Sequence, residues 1–172
     1  MRPSRSALVT LLGALLSASA AIAQSSAGPA PRVEISFKRE AHAEPITGRV
    51  YVALSRTSSA TSTPIQQTDE TGVPLFGVDV SDLQPGAAAV VDASTFGYPV
   101  RSLKDIPAGE YWAQPFVNVY TKFVRADGHT VWLHMDQWEG QNWKRSPGNL
   151  YGDPVRIAID PKNPRTIRLS AD

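Results

Sequence analysis

Glu110-Tyr111-Trp112-Ala113-Gln114-Pro115-Phe116-Val117-Asn118-Val119-Tyr120-Thr121-Lys122-Phe123-Val124 is the stretch on which the fold turns. It is apolar or aromatic on both parities, with Tyr111, Ala113, Val117 and Val119 on one and Trp112, Phe116 and Tyr120 on the other. The run is rich in β-branched and aromatic residues and reads as the longest strand of the chain. Asp127-Gly128 follows, and then Thr130 to Met135, a second β-rich run. Asp-Gly between two such runs signals a hairpin, because a type I′ turn needs positive φ at both central residues. Pro115 has no N–H to give to a ladder, so its position is expected to be an edge or a bulge. Just upstream, Ile106-Pro107-Ala108-Gly109-Glu110-Tyr111 sets a Pro and Gly turn before a strand with an early Tyr. This resembles a tyrosine corner, in which the phenol hydroxyl bonds back to the preceding backbone. The other reading of Tyr111 is an ordinary core aromatic.

Outward from this hairpin, period-2 alternation recurs. Val33-Glu34-Ile35-Ser36-Phe37-Lys38 is apolar at odd positions and polar at even ones, the pattern of a half-buried strand. Val50, Val52 and Leu54 repeat it, as do Phe76, Val78 and Val80, then Val155, Ile157 and Ile159, then Ile167 and Leu169. Ala87 to Val91 is a weaker strand signal. Turn chemistry separates the runs at Gln84-Pro85-Gly86, Ser146-Pro147-Gly148 and Pro161-Lys162-Asn163-Pro164. About eight short strands divided by turns predict an all-β fold, an antiparallel immunoglobulin-like β-sandwich with a tryptophan-rich loop. Residues 56–72 are rich in Ser, Thr and Gln, with Ile65 the one large apolar side chain among them, and are expected to form a long, mobile surface loop.

The N-terminal residues follow another logic. Arg2 and Arg5 precede an apolar run from Ala7 to Ala21, and Ala21-Ile22-Ala23 supplies the small residues of a cleavage site, so residues 1–23 read as a signal peptide. Residues 24–32 then form a flexible N-terminus and residues 33–172 a single domain, exported to the periplasm or the cell exterior. Removing the leader takes two arginines and no acid from a chain with 17 Lys+Arg and 16 Asp+Glu, so the net charge moves from +1 to −1. No electrostatic case for nucleic acid is left. With no cysteine, disulfides, thiolate chemistry and Cys-ligated metals are excluded. No run after Ala23 approaches the ~20 apolar residues of a membrane span.

Catalytic signatures are sparse. There is no Gly-x-Ser-x-Gly elbow, no Gly-x-Gly-x-x-Gly, no phosphate loop and no His-Glu-x-x-His, and no cofactor or metal is expected. His129 and His134 lie five apart and would face opposite ways on a strand, whereas His134 and Asp136 could share a face. The segment from Thr130 to Tyr151 stands out. It packs three of the four tryptophans, a tyrosine and several carboxylate or amide side chains into 22 residues. Three readings fit: a platform in which Trp132, Trp138 and Trp143 stack on sugar beside Asp136 or Glu139 as acceptors, a docking surface that also uses His134 and Tyr151, or a loop folded back over the end of the sandwich. A small hydrolase using His134 with a carboxylate ranks last, because no activated nucleophile or oxyanion hole accompanies it.

Three parts of this region, Tyr120-Thr121-Lys122-Phe123, Ala126-Asp127-Gly128-His129-Thr130-Val131-Trp132-Leu133-His134-Met135-Asp136-Gln137-Trp138-Glu139-Gly140-Gln141 and Ser146-Pro147-Gly148-Asn149-Leu150-Tyr151, resemble the N-terminal region of secreted bacterial esterases similar to enterochelin esterases. Gly48-Arg49-Val50-Tyr51-Val52, Phe76-Gly77-Val78-Asp79-Val80 and Ile106-Pro107-Ala108-Gly109-Glu110-Tyr111-Trp112 resemble it in the same order. The resemblance covers about residues 33–169. It implies an all-β accessory domain that precedes an α/β-hydrolase domain carrying the serine nucleophile, and it places no catalytic residue in this chain. The expected role is therefore domain docking or substrate positioning. The expected partners are a hydrolase domain or a second copy of the chain, with a carbohydrate or ester ligand.

Overall fold

The computed structural model describes residues 31–136 and 142–172. The expected signal peptide, most of the expected flexible N-terminus, and Trp138 and Glu139 lie outside the described residues. In chain order the strands are β1 (Arg32–Ser36), β2 (Ile46–Ser55), β3 (Leu75–Leu83), β4 (Ala89–Val91), β5 (Gly97–Tyr98), β6 (Gly109–Val124), β7 (Thr130–His134), β8 (Leu150–Tyr151), β9 (Val155–Ile159) and β10 (Thr166–Ser170). Strands make up 47% and helix 7%, with no helix of seven residues or more, so the chain is mostly β as its alternation predicts. The described strands number ten rather than about eight, the extra ones being the two-residue pieces β5 and β8. No helix is long and apolar enough to cross a membrane among the described residues.

Two sheets share one core. The smaller runs β10-β1-β4, and the larger runs β5-β3-β2-β6-β7, with β8 and β9 also on β6. Described pairings are antiparallel except β1 with β10, which run parallel. Between the sheets lie Val33 and Ile35 of β1, Val91 of β4 and Leu169 of β10, facing Val50, Val52 and Leu54 of β2, Phe76 of β3, and Tyr111, Ala113 and Val117 of β6. These are the apolar positions of the alternating runs, so one parity of each run builds this core.

β6 is the spine. Along one side β2 pairs with it from Trp112 to Val119, while along the other β9, β8 and β7 follow in turn. Pro115 is therefore neither at a sheet edge nor in a bulge of the β2–β6 ladder, which corrects the expectation. Its carbonyl accepts from Gly152 N–H at 3.1 Å, so its nitrogen also faces the gap where β8 gives way to β9, and no ladder bond is lost. The hairpin forms, with β7 antiparallel to residues 120–124. Its turn differs from type I′. Only Gly128 takes a positive φ, at 82°, and Asp127 instead accepts from the His129 backbone N–H at 3.0 Å. An Asx contact and one left-handed Gly do the work assigned to two positive-φ residues.

Tyr111 makes the corner. It is buried, its hydroxyl donates to the Pro107 carbonyl at 2.8 Å, and the Arg56 guanidinium lies 3.9 Å from its ring centroid. Arg56 also donates to the Glu110 carbonyl at 3.0 Å, binding the start of the 56–74 segment to the entry of β6. Residues 56–72 of it are tied down, not loosely held as their composition suggested. Pro64–Gln67 forms a 3-10 turn in which Thr63 N–H donates to Gln66 Oε1 at 2.9 Å, and Ile65 is buried against β6. Gln67 Nε2 bonds the Thr57 and Ser62 carbonyls. Side-chain to backbone bonds here replace the apolar anchors that composition alone looks for.

Candidate functional site

The other parity of the large sheet builds a second cluster on its outer face. Ala53, Ile65 and Phe116 are buried there, with Tyr51, Leu75 and Trp143 packed on them. Tyr51 and Phe116 are register partners across β2 and β6, and Tyr151 of β8 pairs with Phe116 from the opposite side. Ring centroids of Phe116 lie 5.8 Å from Tyr51, 5.4 Å from Trp143 and 5.0 Å from Tyr151, and Tyr51 lies 4.9 Å from Trp143. These separations suit tilted aromatic packing. Trp143 opens the 3-10 turn Trp143–Arg145, which bonds hold against the sheet. Asn149 Nδ2 donates to the Trp143 carbonyl at 2.8 Å while Asn149 Oδ1 accepts from Val119 N–H at 3.2 Å. Lys144 Nζ donates to the Thr68 carbonyl at 2.7 Å, and the Tyr151 hydroxyl donates to the Lys144 carbonyl.

Beside this cluster lies a cleft of about 380 Å³. Tyr51, Trp143, Phe96 and Tyr98 supply aromatic wall, Gly77 and Leu75 the floor, and Arg49, Asp69, Glu70 and Lys144 the rim. Gly77 is needed as glycine, since a Cβ there would come within 2.7 Å of the Tyr51 ring and 2.9 Å of Arg49 Nε. Arg49 is fixed by Asp79 at 2.7 Å and by the Gly77 carbonyl at 3.1 Å. Tyr98 is fixed by its hydroxyl, which donates to the Glu70 carbonyl at 2.8 Å.

Burial pushes the Tyr51 phenol up to about 12, with Arg49 opposing the shift and Tyr120 and Asp79 adding to it. Tyr120 is raised too, by burial first and then by Asp79. A raised phenol pKa means the folded protein holds the proton more tightly than the unfolded chain, so this contribution is intact below about pH 10 and is lost as pH climbs toward about 12. Phenolate absorbance is expected to show Tyr51 ionising well above the usual phenol range, together with falling stability across that window. Ionisation of Tyr51 alongside a model phenol, with no alkaline loss of stability, would contradict the burial.

Of the residues singled out from sequence, the structure brings Trp143 and Tyr151 together around Phe116. Trp132 and His134 lie elsewhere on the same face, opposite Lys122 and Tyr120 across the β6–β7 ladder. Lys122 is six positions beyond Phe116, roughly 20 Å along a strand, so Trp132 and Trp143 do not share one platform. Asp136 lies beyond the end of β7, where strand alternation no longer sets its direction. His129 belongs to the turn, 3.2 Å from Asp127, and His42 Nδ1 lies 2.8 Å from the Glu44 carbonyl. No group of three or more His, Asp or Glu able to hold a metal occurs among the described residues.

Sequence reading missed Tyr51, Phe116, Phe96, Tyr98 and Gln114 as parts of this face. The usable signal was Tyr51 at a polar-parity position of a strand, opposite Phe116 on the second parity of β6. Comparison with family models, with curated proteins and with solved structures gives no match.

Proposed function

We propose that this chain is an exported, non-catalytic accessory module, an immunoglobulin-like β-sandwich that docks an α/β-hydrolase domain through its β6–β7 hairpin and so helps position that domain's substrate. One observation carries the reading. β2 leaves β6 at Val119, so residues 120–124 have only β7 as a described strand neighbour, and this two-stranded ribbon carries exposed Phe123, Val124 (71%), Trp132 (43%) and Leu133 (54%). A two-stranded ribbon is marginal by itself, and strand alternation puts Val124 and Trp132 on one face of it and Phe123 and Leu133 on the other, so a partner that grips the ribbon from both sides covers large apolar groups otherwise left to solvent. Trp is also enriched at the centres of interfaces. The hydrolase domain as occupant comes from the resemblance in the Trp132 region.

The test is sedimentation of the chain, alone and mixed with an α/β-hydrolase domain of the enterochelin-esterase kind. Association is expected for the native sequence, weakened at least tenfold by Trp132→Ser with Leu133→Ser, while the thermal midpoint stays nearly unchanged because both side chains are exposed. No association with the hydrolase domain, or association indifferent to the double substitution, would overturn the reading.

A further inference from the structure

We infer that the cleft between β2, β3, β5 and the Trp143–Arg145 turn is a binding site for an uncharged saccharide, separate from the docking hairpin. The aromatic side chains point to the ligand class first. Phe96 and Tyr98 are among the most exposed large hydrophobic residues of the molecule, and both border the same cleft as the half-buried Tyr51 and Trp143. Four rings around one hollow suit the C–H faces of a pyranose, which need flat apolar surface.

The rim points the same way. Arg49 and Lys144 stand against Asp69, Glu70 and the Asp79 carboxylate that pairs with Arg49, two cations and three carboxylates, so the opening holds no surplus positive charge to select an anion. Interleaved donors and acceptors at the edge of aromatic walls suit hydroxyl groups, each of which both gives and takes a hydrogen bond. A fully apolar rim would instead have suited a hydrocarbon. At about 380 Å³ the cleft falls in the usual small-molecule range of roughly 300–1,000 Å³.

The walls are also preset. Gly77 leaves room for the Tyr51 ring above β3, Tyr98 is tethered to Glu70, and Lys144 is tethered to Thr68 from the facing side. Side chains already held in place lose little freedom when a ligand arrives, which matters most for weakly binding ligands such as sugars. This moves the sugar surface away from a Trp132–Trp143 platform to a site in which Trp143 is the only tryptophan among the described lining residues.

The experiment is a titration of the ¹⁵N-labelled chain with neutral gluco-, xylo- and galacto-oligosaccharides, following amide and indole shifts. Saturable shifts are expected at Trp143, Gly77 and Tyr98, with little change at Trp132. Phe96→Ala and Tyr98→Ala remove exposed side chains, so folding is kept, and each is expected to weaken binding about tenfold or more. Gly77→Ala sets a methyl group against the Tyr51 ring and Arg49 Nε, so both lining side chains must shift, and it is expected to abolish binding. An absence of shifts with every sugar at millimolar concentration overturns the proposal, as do shifts centred on Trp132. So does binding of p-nitrophenol or acidic sugars in preference to neutral ones. None of these variants touches the hairpin, so failure here leaves the docking reading standing, and the reverse holds too.

Discussion

Phe116→Ala is expected to destabilise the protein by about 3–5 kcal/mol, the cost of emptying a fully buried aromatic site. Phe116 has no exposed surface and, among the described residues, is the one ring in contact with Tyr51, Trp143 and Tyr151 alike. Its loss removes dispersion contacts on three sides and leaves a hollow that a central strand cannot collapse to fill, because β6 is paired along both edges. Denaturant unfolding measures the loss, and Trp143 emission should shift to longer wavelength in the folded variant. Phe96→Ala, removing an exposed ring (64%), is the control and should change stability by no more than about 0.5 kcal/mol. A loss at Phe116 below about 1 kcal/mol would mean that the outer cluster is not a packed unit.

Gln114→Met is expected to cost about 2–6 kcal/mol although the side chain keeps nearly its volume. Gln114 is buried, its Oε1 accepts from Ile65 N–H at 2.9 Å, and its Nε2 donates to the Gly152 carbonyl at 3.0 Å. Both bonds are buried, and stranding each partner group costs roughly 1–3 kcal/mol. The substitution also releases two segments at once, the 56–74 loop and the turn after β8. Faster amide exchange at Ile65 and across residues 63–68 is the expected local sign. Unchanged exchange there would show that the loop is held by Ile65 packing and the Gln67 bonds alone.

These two residues show what the sequence could and could not reveal. The alternating runs mark the inner core because burial of one face leaves a period-2 imprint, and Val50, Val52 and Leu54 follow it without exception. The tyrosine corner was legible for a similar reason, since its Pro, Gly and Tyr are fixed by local geometry. Gln114 left no such mark. A polar residue on the second parity of a strand reads as solvated, and only the fold reveals that a loop fifty residues upstream covers it. The same holds for Pro115, whose tolerance depends on where β8 ends and β9 begins.

The candidate site divides in the same manner. The tryptophan-rich segment announced itself by composition, and Trp143 and Tyr151 do converge, yet on Phe116 and Tyr51, side chains contributed by β6 and β2. Phe96 and Tyr98 come from a third region, between β4 and β6, and join the cleft through the β3–β5 pairing. Contacts of this range are invisible to spacing. What spacing did capture is the hairpin, whose Asp-Gly turn and β-rich arms fix the ribbon that carries Trp132 and Leu133.

That ribbon is where the functional reading stands or falls. Amide hydrogen exchange of the full chain, measured alone and with a saturating α/β-hydrolase domain, tests it most directly. Docking through the hairpin slows exchange in residues 120–124 and 130–134 and leaves β1, β4 and β10 unaffected. Protection confined to the small sheet, or no protection at all, would contradict it.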